Sequence, residues 1–306
     1  MSGSREGLVA SIHARLVKLA KAKGIDAQQL FTRFAIERFL YRLAQSNHAD
    51  RFVLKGGTLM PVWLGEELRP TRDADLLGFG DLSDEALLEI LREVCRMECP
   101  GDGMDFDPES IELGTIREED PYGGRRAHIA AHLGNARFRV QVDVGIGDDV
   151  YPEPEQLEYP VLLDLPAPSL RAYRPETSIA EKFHILATLG LANSRMKDYF
   201  DISELAKRES FDKVELATAI ARTFQRRNTP LPEELPLGLT KEFHQDPQKQ
   251  IQWKAFLRKN KLDPDTRQLT AVVEIIAGFL GPLLFTIDGV DDDLLVWPPG
   301  GPWQEL

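Results

Sequence analysis

Residues 55–77, KGGTLMPVWLGEELRPTRDADLL, constrain the fold of this chain more than any other stretch. They contain a glycine pair, a short apolar run, and then Asp73 and Asp75, which are separated by one residue. Residues two apart on a β-strand leave from the same face, so both carboxylates point the same way. Neighbouring carboxylates repel each other and lose hydration when they are partly buried. The sequence therefore predicts a cation beside this strand.

A later segment, RFRVQVDVGIG, alternates between apolar and polar residues with the period of a strand. Asp143 lies on its polar face. If this strand pairs beside the one that carries Asp73 and Asp75, three carboxylates converge, and such a site suits Mg²⁺ or Mn²⁺. Each part has an ordinary alternative, because the aspartate pair can belong to a solvated edge and the later strand to a half-exposed sheet.

The glycine pair, Gly56 and Gly57, precedes a predicted short helix that Thr58 can cap. Backbone N–H groups of such a turn can face a phosphate, and a helix N-terminus adds positive potential. Glycine suits this position because a Cβ would hold the phosphate away from the backbone. A glycine pair is also a common turn without any ligand. Lys55, beside it, is either a triphosphate contact or a solvated flank.

Hydrophobic periodicity predicts an α+β fold with two domains. Helices are expected at residues 6–22 and 26–44, the second capped by Asp26. Strands are then expected at 71–79, 110–118, 125–133 and 137–147, and a helix that Ser83 caps is expected at 84–97. Further helices are expected at about 175–190, 195–208, 212–227, 246–260 and 265–280. A proline-rich connector at 151–170 predicts a boundary between a mixed α/β domain, 1–150, and a mainly helical domain, 151–306. The ending, WPPGGPWQEL, is not expected to form regular structure.

Composition excludes several classes of protein. The net charge of −12 argues against a protein that coats nucleic acid with its whole surface, although it permits a local basic patch. No apolar run reaches the eighteen or so residues of a membrane helix, and the N-terminus lacks a signal-peptide pattern. Cys95 and Cys99 lack ligand partners. We therefore expect reduced thiols in a cytoplasmic protein that has no membrane partner.

Two basic clusters stand out in this acidic chain. The first consists of Arg222, Arg226 and Arg227, and the second of Lys254, Arg258, Lys259 and Lys261 with Trp253 and Phe256 between them. Either cluster can bind an RNA backbone. The ordinary alternative is a solvated helix face whose aromatic residues pack into the core.

The segments FVLKGGT, RPTRDADLL, VQVDVGIGD, ETSIAEKFHIL and RMKDYFDISEL together resemble the AbiEii/AbiGii nucleotidyltransferase toxins, a branch of the DNA polymerase β-like superfamily. The resemblance covers about residues 50–210. The positions that match the first motif and the later acidic position of the family are Gly56, Gly57, Asp73, Asp75 and Asp143. Gly-Gly-Thr stands where the wider superfamily has Gly-Ser, so a hydroxyl contact to phosphate would fall to Thr58 or to the backbone.

The resemblance also assigns two later motifs. Lys182, in IAEKFHIL, matches a helical lysine motif, and KDYFD matches a closing motif that contains Asp198 and Asp201. It implies that Lys182 and Asp198 are catalytic and that Lys182 and Asp201 bind nucleotide. The residues themselves leave alternatives open. Lys182 needs an anionic partner, which can be a triphosphate, Glu181 or an aspartate of the next helix. The two aspartates can also be acids of a helix N-terminal turn.

The function implied by the resemblance is that of an enzyme, the toxin of a bacterial toxin–antitoxin or phage-defence pair. It would transfer NMP from NTP to an RNA, with the tRNA 3′ end as the expected acceptor, and a cognate antitoxin would neutralise it. The implied fold is a nucleotidyltransferase-like mixed sheet flanked by helices, followed by a helical domain that completes the active site. The implied metal ligands are Asp73, Asp75 and Asp143, and the implied nucleotide contacts are Lys55, Gly56, Gly57, Thr58, Lys182 and Asp201. The alternatives are a small hydroxylated molecule or a protein side chain as acceptor, and a non-catalytic nucleotide-binding protein of the same fold.

Overall fold

The computed structural model describes residues 2–65, 71–99, 101–116, 123–285 and 295–305. The chain divides into two compact units. The first consists of Met1–Val62, Pro70–Asp148 and Glu155–Ala172, and the second of Trp63–Arg69, Asp149–Pro154 and Tyr173–Leu306. The first unit is built on a mixed sheet with helices and the second is mainly helical. The predicted α+β class is confirmed.

The chain up to residue 172 supplies the large sheet. Its helices are α1 (Ser2–Lys23), α2 (Ala27–Gln45), α3 (Met60–Trp63) and α4 (Asp84–Arg96). Its strands are β1 (Phe52–Leu54), β2 (Asp73–Gly78), β3 (Met104–Phe106), β4 (Glu112–Thr115), β5 (Gly124–Leu133), β6 (Ala136–Ile146), β7 (Glu155–Glu158) and β8 (Ser169–Ala172). Among the described residues the sheet has the order β3-β5-β6-β2-β1-β8-β7, and β4 pairs with β5. The pairs β2–β6 and β1–β8 are parallel and the remaining pairs are antiparallel.

Local sequence signals account for the ends of the helices. The side chain of Asp26 accepts a hydrogen bond from the backbone N–H of Gln29 at 3.0 Å and caps α2. Ser83 caps α4 in the same way, through the N–H of Ala86 at 3.4 Å. Both caps were predicted, because a short polar side chain satisfies an N–H group that the first helical turn leaves without a partner. The strand predicted at 110–118 is shorter, Glu112–Thr115, and its residues 117 and 118 lie outside the described residues.

Strand β6 shows why the sheet has one apolar and one polar face. Its alternate residues Phe138, Val140, Val142 and Val144 are buried, as predicted. The ring of Phe31, from α2, stacks on Phe138 with 5.6 Å between the ring centroids. Helix α2 therefore covers the apolar face of β6. The polar face, which carries Asp143, lies on the other side of the sheet.

The proline-rich connector is not a linker along its whole length. Residues 155–172 form β7 and β8, and β8 pairs with β1 through Leu54 and Ala172. The segment between these strands is tied to α2: Arg38 donates to the carbonyl of Pro166 at 2.9 Å, and Glu37 accepts from the N–H of Leu162 at 2.8 Å. The division into units therefore differs from a single boundary at residue 150. Proline prevents a helix here but is compatible with a strand at the edge of a sheet.

Glu37 leads to a pH-dependence prediction. Burial raises its pKa from 4.5 to about 7, against the opposing charge of Arg38 and the hydrogen bond from Leu162. The folded protein then keeps a proton that the unfolded chain has released, so the free energy of unfolding falls as the pH rises between these values. The fall is on the order of 3 kcal/mol. Glu37→Gln should remove this fall, as measured by urea unfolding at pH 5 and pH 8. The exposed Glu155→Gln is the control, and an equal pH slope in wild type and Glu37→Gln would contradict the prediction.

The second unit contains the remaining elements. Its helices are α5 (Pro175–Leu189), α6 (Met196–Arg208), α7 (Lys213–Arg226), α8 (Lys241–Gln245), α9 (Pro247–Lys259) and α10 (Leu269–Leu280), and its strands are β9 (Phe211–Asp212), β10 (Leu295–Trp297) and β11 (Gln304–Glu305). The five helices predicted for this part are confirmed, and α8 is additional. The expectation of no regular structure at the end of the chain is wrong. Strands β10 and β11 pair there, and the buried indole of Trp297 donates to the carbonyl of Ala206 at 2.7 Å.

The cysteines and the helices bear on the expected reduced thiols and on the expected absence of a membrane helix. Cys95 and Cys99 are both free. Burial raises the pKa of the Cys95 thiol to about 12, so little of the reactive thiolate is present at neutral pH. None of the described helices is both long and apolar enough to cross a membrane.

Candidate active site

Three carboxylates meet on the polar face of the sheet. Strands β2 and β6 are parallel neighbours, and Asp75 lies directly opposite Asp143 in their register. Asp73 lies two residues before Asp75, on the same face of β2. One carboxylate oxygen from each of the three residues lies within 4.8 Å of the others. The predicted convergence of these side chains is confirmed.

The donor set fits a hard divalent cation. All three groups are partly exposed and carry only oxygen ligands. Mg²⁺ and Mn²⁺ prefer carboxylate oxygens together with water and phosphate oxygens. The carboxylates are fixed on paired strands, so little reordering is required to bring them together.

Arg126 is a cation of this site that sequence reasoning missed. It lies on β5 directly opposite Asp143. Its Nε and Nη2 donate to the two oxygens of Asp143 at 2.8 and 2.6 Å. The amide of Gln141 donates to both oxygens of Asp143, at 3.1 and 3.2 Å, and to Asp73 at 3.5 Å. The alternation of RRAHIAAHL was the available signal, because it places Arg126 on the polar face of its strand.

His128 is a second neighbour of the site that the sequence did not single out. It follows Arg126 on the same face of β5 and lies opposite Gln141. Burial lowers the pKa of His128, and the charges of Arg139 and Arg126 lower it further. The imidazole is therefore neutral at neutral pH and does not add to the positive charge beside the cluster.

The glycine turn holds Asp75. The N–H of Gly57, which was expected to face a phosphate, donates to Asp75 Oδ2 at 2.8 Å. Gly56 has a φ of +60°, and a Cβ built on it would lie only 2.6 Å from the same oxygen. The turn and the carboxylate lie this close because β1 pairs with β2, and the N–H of Lys55 donates to the carbonyl of Asp75 at 3.0 Å. Glycine is required here by both the backbone conformation and the space.

Gly56→Ala should therefore impair the site more than it impairs the fold. The new methyl group must displace the Asp75 carboxylate, so we expect the nucleotide transfer that the family resemblance implies to fall by about 10²-fold, as a misplacement of about 1 Å can cost. Gly24→Ala is a matched control, because Gly24 has a similar φ of +64° and a Cβ added there would meet only open space. Thermal unfolding and label transfer are measured for both variants. An equal loss of activity in the two would show that backbone strain alone is responsible.

Thr58 was predicted to cap a short helix, and it does not. Residues Gly56–Leu59 form a 3-10 turn that leads into α3. The Thr58 side chain is fully buried, and its hydroxyl accepts from the N–H of Asp75 at 2.7 Å and donates to the carbonyl of Asp73 at 3.3 Å. This geometry does not support a direct contact of the hydroxyl with a triphosphate. Thr58 instead fixes the backbone of β2 between the two aspartates.

Lys55 belongs to an ion pair at the edge of the site. Its ammonium lies 2.5 Å from Asp148 Oδ2, and both side chains are largely buried. The ammonium also lies 3.6 Å from where a Cβ on Gly145 would be, two residues along β6 from Asp143. Lys55 is therefore not a solvated flank, and its charge is close to the acidic cluster.

Lys182, Asp198 and Asp201 form a buried network within the second unit. The Lys182 ammonium lies 3.3 Å from Asp198 and 2.9 Å from Asp201, and Arg195 contacts Asp198 at 2.7 Å. Burial would raise the pKa of Asp198, but the charges of Lys182, Arg195 and Lys197 outweigh it and lower the pKa to about 2. The ion pair with the next helix, which the sequence left as one alternative, is therefore present. Both aspartate side chains are fully buried, so this geometry does not support their assignment to catalysis or nucleotide contact.

A mixed sheet that presents a glycine turn and three convergent carboxylates is the arrangement expected of a nucleotidyl-transferring enzyme. The sequence profile of the family described as "Nucleotidyl transferase AbiEii toxin, Type IV TA system" matches residues 38–275. The chain belongs to this family of nucleotidyltransferase toxins of type IV toxin–antitoxin systems. The resemblance that the motifs indicated, and the enzyme class that it implied, are confirmed.

A solved structure shows a similar fold. The chain is similar to MenT4, a nucleotidyltransferase toxin from Mycobacterium tuberculosis H37Rv, with 20% identity and a TM-score of 0.51 over 89% of this chain and 98% of that one. It is also similar to JHP933 from Helicobacter pylori, with 15% identity and a TM-score of 0.49 over 86% of this chain and 94% of that one. At 20% identity, the likeness to MenT4 concerns the fold alone. A search of curated protein sequences gave no significant match.

Proposed function

We propose that this toxin is a divalent-metal-dependent enzyme that transfers NMP from NTP to a hydroxyl group of an RNA, with the 3′ end of tRNA as the expected acceptor. Family membership supplies the reaction class. The observation that carries the metal dependence is the convergence of Asp73, Asp75 and Asp143 within 4.8 Å. Mg²⁺ is the proposed ion, and Mn²⁺ has the same ligand preference.

The proposed chemistry is an in-line displacement at phosphorus. The acceptor oxygen bonds to the α-phosphorus, the bond from that phosphorus to the oxygen bridging to the β-phosphate breaks, and pyrophosphate leaves. Asp73, Asp75 and Asp143 would hold the ion, which when bound neutralises phosphate charge and makes the attacking hydroxyl more acidic. The proton of that hydroxyl passes to a carboxylate of the cluster.

The other residues of the site position the carboxylates and the substrate. Gly57 and Thr58 hold Asp75 in place through its carboxylate and its backbone N–H. We propose that Lys55, whose ammonium lies near the end of β6, contacts the triphosphate. The Lys182 network has its charges satisfied internally, so we propose that it stabilises α5 against α6.

An exposed basic face on α9 supports an RNA acceptor. Lys254, Arg258 and Lys259 are exposed, and within the described chain no ion pair holds them. Of the two aromatic residues among them, Trp253 is buried and donates to the carbonyl of Arg267 at 2.7 Å, and the ring of Phe256 stacks on it with 5.5 Å between the centroids. In the other basic cluster, Arg222 is already held by Asp149 through two hydrogen bonds. The α9 face is therefore the better candidate for a phosphate backbone.

The family also bears on the biological partner. A toxin of a type IV toxin–antitoxin system implies an antitoxin encoded with it. We propose that the antitoxin prevents nucleotide transfer in the cytoplasm and that the pair serves in phage defence.

A label-transfer assay tests the proposed function. Purified protein is incubated with each α-labelled NTP in turn, total RNA and Mg²⁺, with parallel samples in EDTA. We expect a labelled product from at least one NTP that EDTA prevents and RNase destroys, and mass analysis of that product names the nucleotide and the acceptor. Label that survives RNase would indicate a small-molecule or protein acceptor. No transfer from any NTP would contradict the proposal.

A further inference from the structure

Arg126 occupies the position of a counter-ion within the acidic cluster. Its guanidinium forms a bidentate ion pair with Asp143, with Nε 2.8 Å from Oδ1 and Nη2 2.6 Å from Oδ2. Asp143 is the cluster member that also accepts from Gln141 with both oxygens. Its side chain is 12% exposed, whereas that of Arg126 is 34% exposed. Asp143 therefore accepts hydrogen bonds from Arg126 and Gln141 with both of its oxygens, and the Arg126 side chain reaches toward solvent.

The same oxygens cannot serve Arg126 and a divalent ion equally well. A bidentate guanidinium takes the two lone pairs that point away from the carboxylate carbon, and its charge repels a second cation at this distance. An ion that binds Asp73, Asp75 and Asp143 together must therefore weaken or replace the contact with Arg126. Once displaced, the guanidinium needs another anion, and a planar fork of N–H donors matches phosphate oxygens as well as it matches a carboxylate.

We propose that Arg126 competes with the divalent ion for Asp143 in the free enzyme and contacts the triphosphate of the NTP once the ion is bound. This inference rests on the proposed function of the acidic cluster. It makes ion binding and triphosphate binding cooperative, because the triphosphate supplies the partner that Arg126 loses to the ion. In the absence of nucleotide, Arg126 keeps the carboxylates from repelling one another and keeps the affinity for the ion low.

Metal titration tests the competition without relying on activity. The probe is Mn²⁺, whose free concentration is followed by electron paramagnetic resonance, first alone and then with inorganic triphosphate. Without triphosphate we expect Arg126→Ala to bind Mn²⁺ about tenfold more tightly than wild type, because a positive charge close to the ion is removed. With Mn²⁺ present, the same variant should bind triphosphate about tenfold more weakly, because a bidentate phosphate contact is lost. Arg126→Lys, which keeps the charge but loses the fork, should lie between the two.

Arg125→Ala is the matched control. Arg125 is the adjacent residue of β5, it faces the other side of the sheet, and it pairs with Asp84. Its removal changes the net charge by the same amount and should leave both affinities unchanged. Thermal unfolding of each variant in EDTA and in Mn²⁺ supplies a second measurement. The midpoint of Arg126→Ala should fall below that of wild type in EDTA and recover in Mn²⁺, because the ion then replaces the missing counter-charge.

The outcomes separate this inference from the proposed function. Mn²⁺ binding that is lost in Asp75→Asn but is equally tight in wild type, Arg126→Ala and Arg126→Lys would overturn the competition and leave the metal site in place. No Mn²⁺ binding in wild type or in either Arg126 variant would overturn both. If Arg126→Ala does not fold, Arg126→Gln, which removes the charge and keeps most of the side-chain length, takes its place, and an affinity for Mn²⁺ equal to that of wild type would then contradict the competition.

Discussion

Asp75→Asn is expected to abolish nucleotide transfer, with a loss of at least about 10³-fold, because a metal-stabilised transition state depends on several kcal/mol of charge neutralisation. Asp75 lies at the centre of the cluster, opposite Asp143 on the neighbouring strand and two residues from Asp73 on its own. Asparagine has nearly the same shape and can still accept the hydrogen bond from Gly57. It lacks the negative charge, so the loss reports on electrostatics and not on packing.

The measurement is label transfer at saturating Mg²⁺, with thermal unfolding as a check on the fold. Asp164→Asn is the control, since Asp164 is an exposed aspartate of the same unit and outside the cluster. It should keep full activity. Transfer by Asp75→Asn at a rate within a few-fold of the control would mean that the cluster does not carry the chemistry.

Of the substitutions proposed here, Lys182→Met should lower the free energy of unfolding most. Asp198 and Asp201 are fully buried, and each lies within 3.3 Å of the Lys182 ammonium. Removing the lysine leaves two buried carboxylates with one fewer positive charge between them. Breaking a buried pair in this way costs about 3–5 kcal/mol, far more than the pair contributes when compared with an apolar replacement of all its members. Urea unfolding at pH 7 measures the difference.

Lys207→Met is the matched control for this prediction. Lys207 also pairs with an acid of α6, Glu204 at 3.1 Å, but its side chain is 34% exposed. Solvent screens such a pair, so the loss should be below about 1 kcal/mol. If the two variants lose the same stability, the Lys182 network is not a structural support.

The lowered pKa of Asp198 sets the pH range in which this network stabilises the fold. The contribution of the Asp198 carboxylate to the free energy of unfolding is present above pH 3.8 and is lost as the pH falls toward 2.

Much of the candidate site followed from sequence patterns that act over a few residues. The alternation of β6 placed Asp143 on a polar face, and the D-x-D spacing placed Asp73 and Asp75 together on β2. The caps at Asp26 and Ser83 were predicted for the same reason, since a cap involves residues only three apart. These features depend on local geometry, which a sequence displays directly.

The partners of the predicted residues could not be obtained in this way. Threonine is a common helix cap, yet the hydroxyl of Thr58 forms hydrogen bonds with the backbone of β2. Lys182 had several possible anions, and the packing of α5 against α6 selected Asp198 and Asp201. Gly57 was expected to face a phosphate and instead donates to Asp75. In each case the possible partners have similar chemistry, so the contact that forms is the one with the group that the fold brings closest.

The sequence by itself determined most of the helices, the two strands that carry the acidic residues, the family motifs and the residues able to bind a divalent ion. Only the tertiary structure decided that β6 lies beside β2, that Arg126 lies opposite Asp143, and that residues 155–172 extend the sheet. The physical reason is the range of the interactions. Turns, caps and strand faces depend on bonded neighbours, whereas strand order and ion pairing depend on which distant segments bury their apolar faces against each other.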